Sequence, residues 1–379
     1  MQSPLETFTS TLSTLYGPIT PSTLSHPNTW TPPQASGGHK GRYLWTDAFG
    51  VLALLTLHIE TNRNSPTNAR NTHYLTLASR LVTTVHDVLG RTRDGSALLP
   101  GATESNSLGG GLRIGKTEEA GSDGDGQYHH YLTLWMFALN RMSLASDDPT
   151  YNEQAIALAK AIHAPFFVNR ASENPRMVWK MSMNLSRPLV ASEGNLDPVD
   201  GFVMFRLLQA ADDHFRNRDG GGVLKDEIDD YARVMKRKGE HFVSSDPLDL
   251  GMTMWTVHWV IEEEWARRLA DRCFEQIYEL LEIRRYLDRG MKYRLAFREF
   301  GTALGLRCMA EQESEKERSG DLRAYGDQIL EVWRSRMDGA IGKDATPEDL
   351  RPITRVMYAA ALIPGAFQRG YFGPEPIMS

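Results

Sequence analysis

Two kinds of apolar pattern alternate along the chain. In the first, apolar residues fill most positions of a run: Trp45–Ile59, Tyr128–Leu139, Gly201–Ala211, Leu250–Ile261, Phe297–Ala310 and Ile353–Phe367. A helix without a wet face belongs in the interior. In the second, apolar residues recur at i, i+3, i+4 and i+7, the stripe of a helix that packs on one side only. Ile228, Tyr231, Ala232 and Met235 show it most cleanly. Similar stripes run through Leu5, Phe8, Leu12 and Leu15; Leu77, Leu81, Val85 and Leu89; Ile156, Ala159 and Ile162; Phe274, Ile277 and Leu281; and Leu322, Tyr325 and Ile329.

Six runs of each kind alternate strictly, and no segment carries a convincing strand signal. Six helical hairpins of this composition predict an all-α (α/α)6 toroid, buried helices in the inner ring and striped helices outside. Residues 1–379 then read as a single domain. A solenoid of helix pairs would show a near-constant period, whereas the buried runs here are unevenly spaced and share no consensus. Ser25–Gly41, rich in Pro, Gly and polar residues, reads as a loop. No breaker marks the boundary near Glu262–Glu264.

A Gly-rich insertion over residues 92–126 precedes the second buried run. Within it, Gly110–Thr117 fits G-x-x-x-x-G-K-[ST], the phosphate-binding P-loop pattern. A P-loop follows a core strand and opens a helix, so that its N–H groups and the helix dipole meet the phosphates. Upstream the chain is too broken for a core strand, and downstream EEAGSDGDG opposes both a helix and an anion. The nucleotide reading is set aside. The insertion reads instead as a lid over the cavity mouth, with Arg113 and Lys116 able to reach a ligand.

Composition narrows the function. With 41% hydrophobic and 24% charged residues and a net charge of −6, the chain lacks the basic footprint of a nucleic-acid binder. No apolar run is long enough for a membrane span, and the N-terminal segment does not read as a signal peptide. Cys273 and Cys308 form no metal-ligand pair and are too few for a disulfide framework. A cytoplasmic protein acting on a small molecule, with no cofactor and no metal, is the expectation. Calcium on the DGDG of Asp123–Gly126 is an alternative to a plain turn.

Polar and aromatic residues gather at the entrance of each buried run, and in a toroid these entrances converge. They supply Asp47, Asp125, His129 and Asp200 as candidate acid–base groups. Candidate ligand contacts are His39, Arg42, Tyr43, Trp45, Arg113, Lys116, Gln127, His130, Asp197, Asp249, Trp255, Arg298, Glu299 and Arg355. Each Asp alone reads equally as a helix N-cap. Together, carboxylates and guanidiniums for hydroxyl groups and aromatic faces for stacking suit a polyhydroxylated ligand.

GRYLWTDAFGV, DGQYHHYLTLWMFAL and NLDPVDGF resemble the inner-helix entrances of the six-hairpin glycosidase-like superfamily: glucoamylase-type hydrolases, unsaturated glucuronyl hydrolases and N-acylglucosamine 2-epimerases. The resemblance implies a toroid with its active site in the central cavity, using two acidic residues in hydrolases or two histidines in epimerases. The paired glutamates of glucoamylase-like sites have no clear counterpart. For a second histidine only His258 is available, deep in an apolar run where a satisfied core role is expected. Two other readings stay open: an isomerase or cyclase of a more hydrophobic metabolite, with Met183, Met204, Met252, Met254 and Trp255 lining its cavity, and a non-catalytic ligand-binding toroid.

Overall fold

The computed structural model describes residues 3–35, 39–63, 71–121, 123–218, 220, 222–314, 316–337 and 347–378. Among them are twelve α-helices: α1 (Pro4–Tyr16), α2 (Leu44–Arg63), α3 (His73–Leu89), α4 (His129–Ser146), α5 (Pro149–Phe166), α6 (Asp197–Arg216), α7 (Lys225–Val234), α8 (Pro247–Val257), α9 (Glu264–Tyr278), α10 (Ala296–Gln312), α11 (Lys316–Met337) and α12 (Arg351–Leu362). Each even-numbered helix packs against the next even-numbered one, and α12 returns to α2, so the inner ring closes. The odd-numbered helices back onto it, with α1 against α12. This is the (α/α)6 toroid that the alternation predicts, each buried run falling on an inner helix.

The inner helices approach closely where side chains are missing. A Cβ on Gly305 would lie 1.9 Å from the Gly251 carbonyl oxygen, and one on Gly251 would lie 2.2 Å from that of Gly301. These glycines let α8 and α10 touch backbone to backbone. The axis below is filled by aromatic rings: Phe49 and Phe367 are 4.7 Å apart at their centroids, Phe137 and Trp255 4.9 Å, and Phe137 and Trp259 5.4 Å. Phe367 arrives by a route the pattern does not foretell. The last buried run is not one helix: α12 stops at Leu362, and a 3-10 turn, Gly365–Phe367, folds the ring back into the axis. Gly365 makes this possible at φ +50, and Ala366 N–H donates to Thr56 Oγ1 at 3.0 Å. The fourth run likewise ends as a helix at Val257 and continues as a 3-10 turn, which resolves the unmarked boundary before α9.

Two-residue strands β1 (Gln127–Tyr128), β2 (Phe167–Val168), β3 (Arg176–Met177) and β4 (Lys180–Met181) pair antiparallel as β1–β4 and β2–β3. They are too short to leave a period in the sequence. They fold the segment between α5 and α6 over the start of α4, where His129 N–H donates to Trp179 O at 3.0 Å.

The Gly-rich insertion is locked in place by one carboxylate. Asp125 Oδ1 accepts from the N–H groups of Gly115, Lys116 and Gly126 at 2.9, 3.3 and 3.0 Å. Asp125 Oδ2 meets Arg93 at 3.0 Å and Arg113 at 3.1 Å. The backbone N–H groups of the P-loop-like stretch therefore already hold an anion, and it belongs to the protein. The same donor set leaves no room for calcium on Asp125. Arg113 is fully buried in this lock and cannot reach a ligand. Gly101, Asn106 and Gly109 border a groove of about 790 Å³ on the outside of the ring, beside Ile156 and Asp212. Ile114 O receives the first N–H of α2, from Leu44, at 3.0 Å. The insertion thus packs at the start of α2 and α4.

Gly305→Ala should lower stability by about 1–3 kcal/mol or more, since its new methyl meets backbone that cannot yield; denaturant unfolding measures it. Asp125→Ala should cost about 3–5 kcal/mol, because it strands a buried guanidinium and three N–H groups; the same assay checks it.

Candidate active site

The six inner helices begin at the same end of the ring, so their first turns share one mouth. At α2 and α4 the opening N–H groups of Leu44 and His129 are taken by carbonyls of the mouth loops, and no side chain caps α4. At α8 the cap is Asp246, accepting from Leu248 N–H at 2.9 Å and Asp249 N–H at 3.4 Å. Asp197, Asp200 and Asp249 lie inside the first turns of α6 and α8 and cap nothing. The capping alternative therefore holds for Asp246 and not for these three.

Asp197, Asp200 and Asp249 are close enough to perturb one another, and their environments separate them. Burial raises Asp200 far above the ordinary carboxylate range, and the charges of Asp197 and Asp249 push it the same way, against a hydrogen bond from Thr256 Oγ1 at 2.9 Å. Asp249 is also raised, by burial and by Asp246, and less so by Asp197; Ser244 and Arg298 pull it back. Burial acts on Asp197 too, but His129 and His130 outweigh it and hold its carboxyl below the ordinary value. Asp197 Oδ1 lies 3.3 Å from His129 Nδ1 and 3.9 Å from His130 Nδ1. One carboxyl of the cluster is thus held below the ordinary carboxylate value and its two neighbours above it.

An aromatic wall rises next to this cluster. The Trp45 ring lies 5.1 Å from Tyr131 and 5.8 Å from His130, and Tyr131 lies 5.6 Å from Tyr43 and 5.4 Å from Tyr128. Trp179 extends the wall, 5.4 Å from Tyr128. Tyr43 and Tyr131 share a hydroxyl–hydroxyl hydrogen bond. His130, Tyr131, Trp179, Asp249 and Arg298 are half-buried, as the lining of an accessible mouth must be. Burial holds His130 below the usual imidazole value, against the pull of Asp197. At the rim, Lys116 pairs with Asp123 at 2.9 Å and lies 5.5 Å over the Tyr43 ring, while Arg298 pairs with Asp246.

Other residues singled out from the sequence lie elsewhere. Asp47 turns away from the mouth, with Arg42 and Tyr16 Oη each 3.4 Å from its Oδ1; burial raises it to about 6 despite both. Glu299 faces outward to Arg294 and to Trp333 Nε1, the latter at 2.7 Å. Arg355 is buried, donating to Met337 O at 3.4 Å. Gln127 is buried and ties Leu112 N–H, Gly110 O and Met183 O together. Trp255 forms the floor, its Nε1 donating to Phe367 O at 3.0 Å. Met204, Met252 and Met254 are core residues. His258 is buried with both nitrogens engaged: Nδ1 by Trp255 O and Nε2 by Arg369 N–H at 3.1 Å; burial lowers it to about 3. The side chain of His39 lies outside the described residues.

Sequence reasoning missed Tyr131 and Trp179. Tyr131 directly follows His129-His130 and was legible as a third mouth residue; Trp179 reaches the mouth only through the β1–β4 pairing.

Among the described residues no helix is long and apolar enough to cross a membrane, and no cluster of His, Cys, Asp and Glu could hold a metal ion. No protein-family model matches the chain, and no curated protein matches its sequence. Solved structures do. The chain is similar to the GH76 α-mannanase BT2949 of Bacteroides thetaiotaomicron, with a TM-score of 0.59 and 9% identity, covering 95% of this chain and 96% of that one. It is similar also to a family 76 glycoside hydrolase from a bovine Bacteroides thetaiotaomicron strain, with a TM-score of 0.54 and 12% identity, covering 95% of this chain and 77% of that one. The shared property is the fold: this chain is built as those (α/α)6 toroidal glycoside hydrolases are.

Proposed function

We propose that the protein is a glycoside hydrolase whose active site is the mouth described above. The observation that carries the reading is the split among neighbouring carboxylates beneath an aromatic wall. Glycosidic cleavage needs a proton donor for the leaving oxygen and an ionised carboxylate for the sugar or the attacking water. Environments that push neighbouring carboxyls apart in pKa make the assignment. Asp249, raised and half-buried, is the proposed acid. Asp197, lowered and buried, is the proposed carboxylate. Asp200, raised well above the ordinary carboxylate range and bonded to Thr256, is given no direct part in the reaction. Tyr131 and Trp179 offer half-buried faces on which a sugar ring stacks, with Trp45 buried behind Tyr131, and Arg298 and Lys116 offer donors to hydroxyl groups at the rim.

A two-histidine isomerase reading has less support. Its second imidazole would be His258, which is spent in the core. A hydrophobic-ligand reading would use Met183, Met204, Met252, Met254 and Trp255; all but the half-buried Met183 are packed against other core side chains. An intracellular location belongs to the same proposal, supported by two free buried thiols, Cys273 and Cys308. The name of one structural neighbour, an α-mannanase, makes α-linked manno-oligosaccharides the first probes.

Hydrolysis of those oligosaccharides, followed by reducing-sugar release, should fall by about a hundredfold or more in Asp249→Asn and in Asp197→Asn, the range expected for loss of a general acid or base. Unchanged turnover in both would refute the assignment. The sign of the pH dependence follows from the shifts. Activity should fall on the acid side as Asp197 takes up a proton, below the ordinary carboxylate value. It should fall on the alkaline side as Asp249 loses one, above that value. In wild-type kcat/KM the alkaline limb should lie above the ordinary carboxylate range; a limb at that ordinary value would contradict the role given to Asp249.

A further inference from the structure

Tyr231 belongs to the outer helix α7, yet its hydroxyl lies 2.7 Å from Nε2 of His129, on the inner helix α4. It gets there because α6 has a gap in its surface. A Cβ on Gly201 would lie 2.1 Å from Tyr231 Cε1 and 2.2 Å from Cζ, so the phenol ring occupies the space a side chain would take. His129 and Tyr231 are both fully buried, and Phe166 and Phe205 enclose them at 5.3 Å from the imidazole and 4.9 Å from the phenol. On the other side of the imidazole, Nδ1 lies 3.3 Å from Asp197 Oδ1. The approach is off the line of a closed hydrogen bond, and neither atom has another hydrogen-bond partner.

We infer that Tyr231 is a positioning residue for the proposed reaction: by donating to His129 Nε2 it fixes the imidazole with its proton on Nδ1, aimed at Asp197. The inference rests on the carboxylate reading of the mouth. Its chemistry is local. A neutral imidazole carries one N–H, and the nitrogen that holds it is set by the bond the other nitrogen makes. Were the proton on Nε2, the Nδ1 lone pair would face the Asp197 carboxylate, and two acceptors would repel in a buried site. With Tyr231 donating, Nε2 is the acceptor and Nδ1–H meets the anion. A protonated ring presents the same N–H to Asp197, so Asp197 meets a donor in either state. Burial keeps the phenol proton in place well above the ordinary tyrosine range, so the donor is permanent.

The charged groups around Asp197 define what a pH profile would report. From α4 come His129 and His130, and from α6 Asp200. From α8 comes Asp249, and from the turn after α7 comes Lys238, whose Nζ donates to Gly194 O at 2.6 Å and Asn195 Oδ1 at 3.1 Å. Tyr231→Phe changes none of these charges and keeps the ring that fills the gap at Gly201.

The test reads the ring directly. Nitrogen-15 NMR of histidine-labelled wild-type protein distinguishes the protonated from the unprotonated nitrogen of a neutral imidazole. The expected result is a His129 with its proton on Nδ1; a neutral ring with its proton on Nε2 overturns the inference without any variant. In Tyr231→Phe Asp197 still favours Nδ1–H, so the expected signal is a mixture in which some Nε2–H form appears beside it, and the acid limb of kcat/KM should rise by up to about one pH unit, as expected when a carboxylate partly loses a facing donor. KM should change less than kcat. An unchanged tautomer in a folded Tyr231→Phe also overturns the inference. Because the tautomer is read without turnover, it fails or holds separately from the hydrolase reading.

Discussion

Everything in this molecule follows from helices that have no side facing water. Six of them form a ring, so polar side chains on them are tolerated only at their ends or in pairs. The paired cases are visible: Arg42 with Asp47, and Glu299 with Arg294 and Trp333. At the N-terminal mouth Asp197, Asp200 and Asp249 occupy first turns, partnered by His129, Thr256 and Ser244. Helix N-termini favour anions there. Burial and mutual repulsion oppose the second and third charge. The result is a cluster in which one carboxyl is shifted down and two are shifted up, and the fold supplies that asymmetry before any ligand arrives.

The opposite end of the ring cannot serve in the same way. The aromatic rings of Phe49, Phe137, Trp255, Trp259 and Phe367 close the axis, and the 3-10 turn at Gly365–Phe367 seals the plug. A ligand in the axis would stand on this floor with the Trp45–Tyr131 wall beside it. The Gly-rich insertion stands at the rim, where Asp125 gathers five donors from chain segments on both sides of the loop.

Sequence reasoning captures the ring because the two apolar patterns report burial directly, and burial is what distinguishes inner from outer helices. It locates the mouth for the same reason. It fails at the level of single carboxylates. Asp47, Asp125 and Asp197 look alike as letters at helix entrances; what separates them is direction. Asp47 points to α1, and Asp125 points into its own loop toward Arg93, 32 residues away. Asp197 points to an imidazole. Nor does Tyr231 stand out, since it reads as one apolar position in an amphipathic stripe; its reach to His129 depends on a glycine of another helix. The Gly110–Thr117 match misleads in an instructive way: the loop does bind an anion through its N–H groups, but the anion is Asp125.

The central claim is that a saccharide occupies this mouth over Asp197 and Asp249. The most direct measurement is a crystal structure of the Asp249→Asn protein with an α-linked manno-oligosaccharide. The account predicts a pyranose ring stacked on Tyr131 or Trp179, with a glycosidic oxygen within hydrogen-bond reach of residue 249 and Asp197 beside the same sugar. A saccharide bound only in the outer groove beside Ile156 and Asp212, or an empty mouth at saturating oligosaccharide, would contradict it.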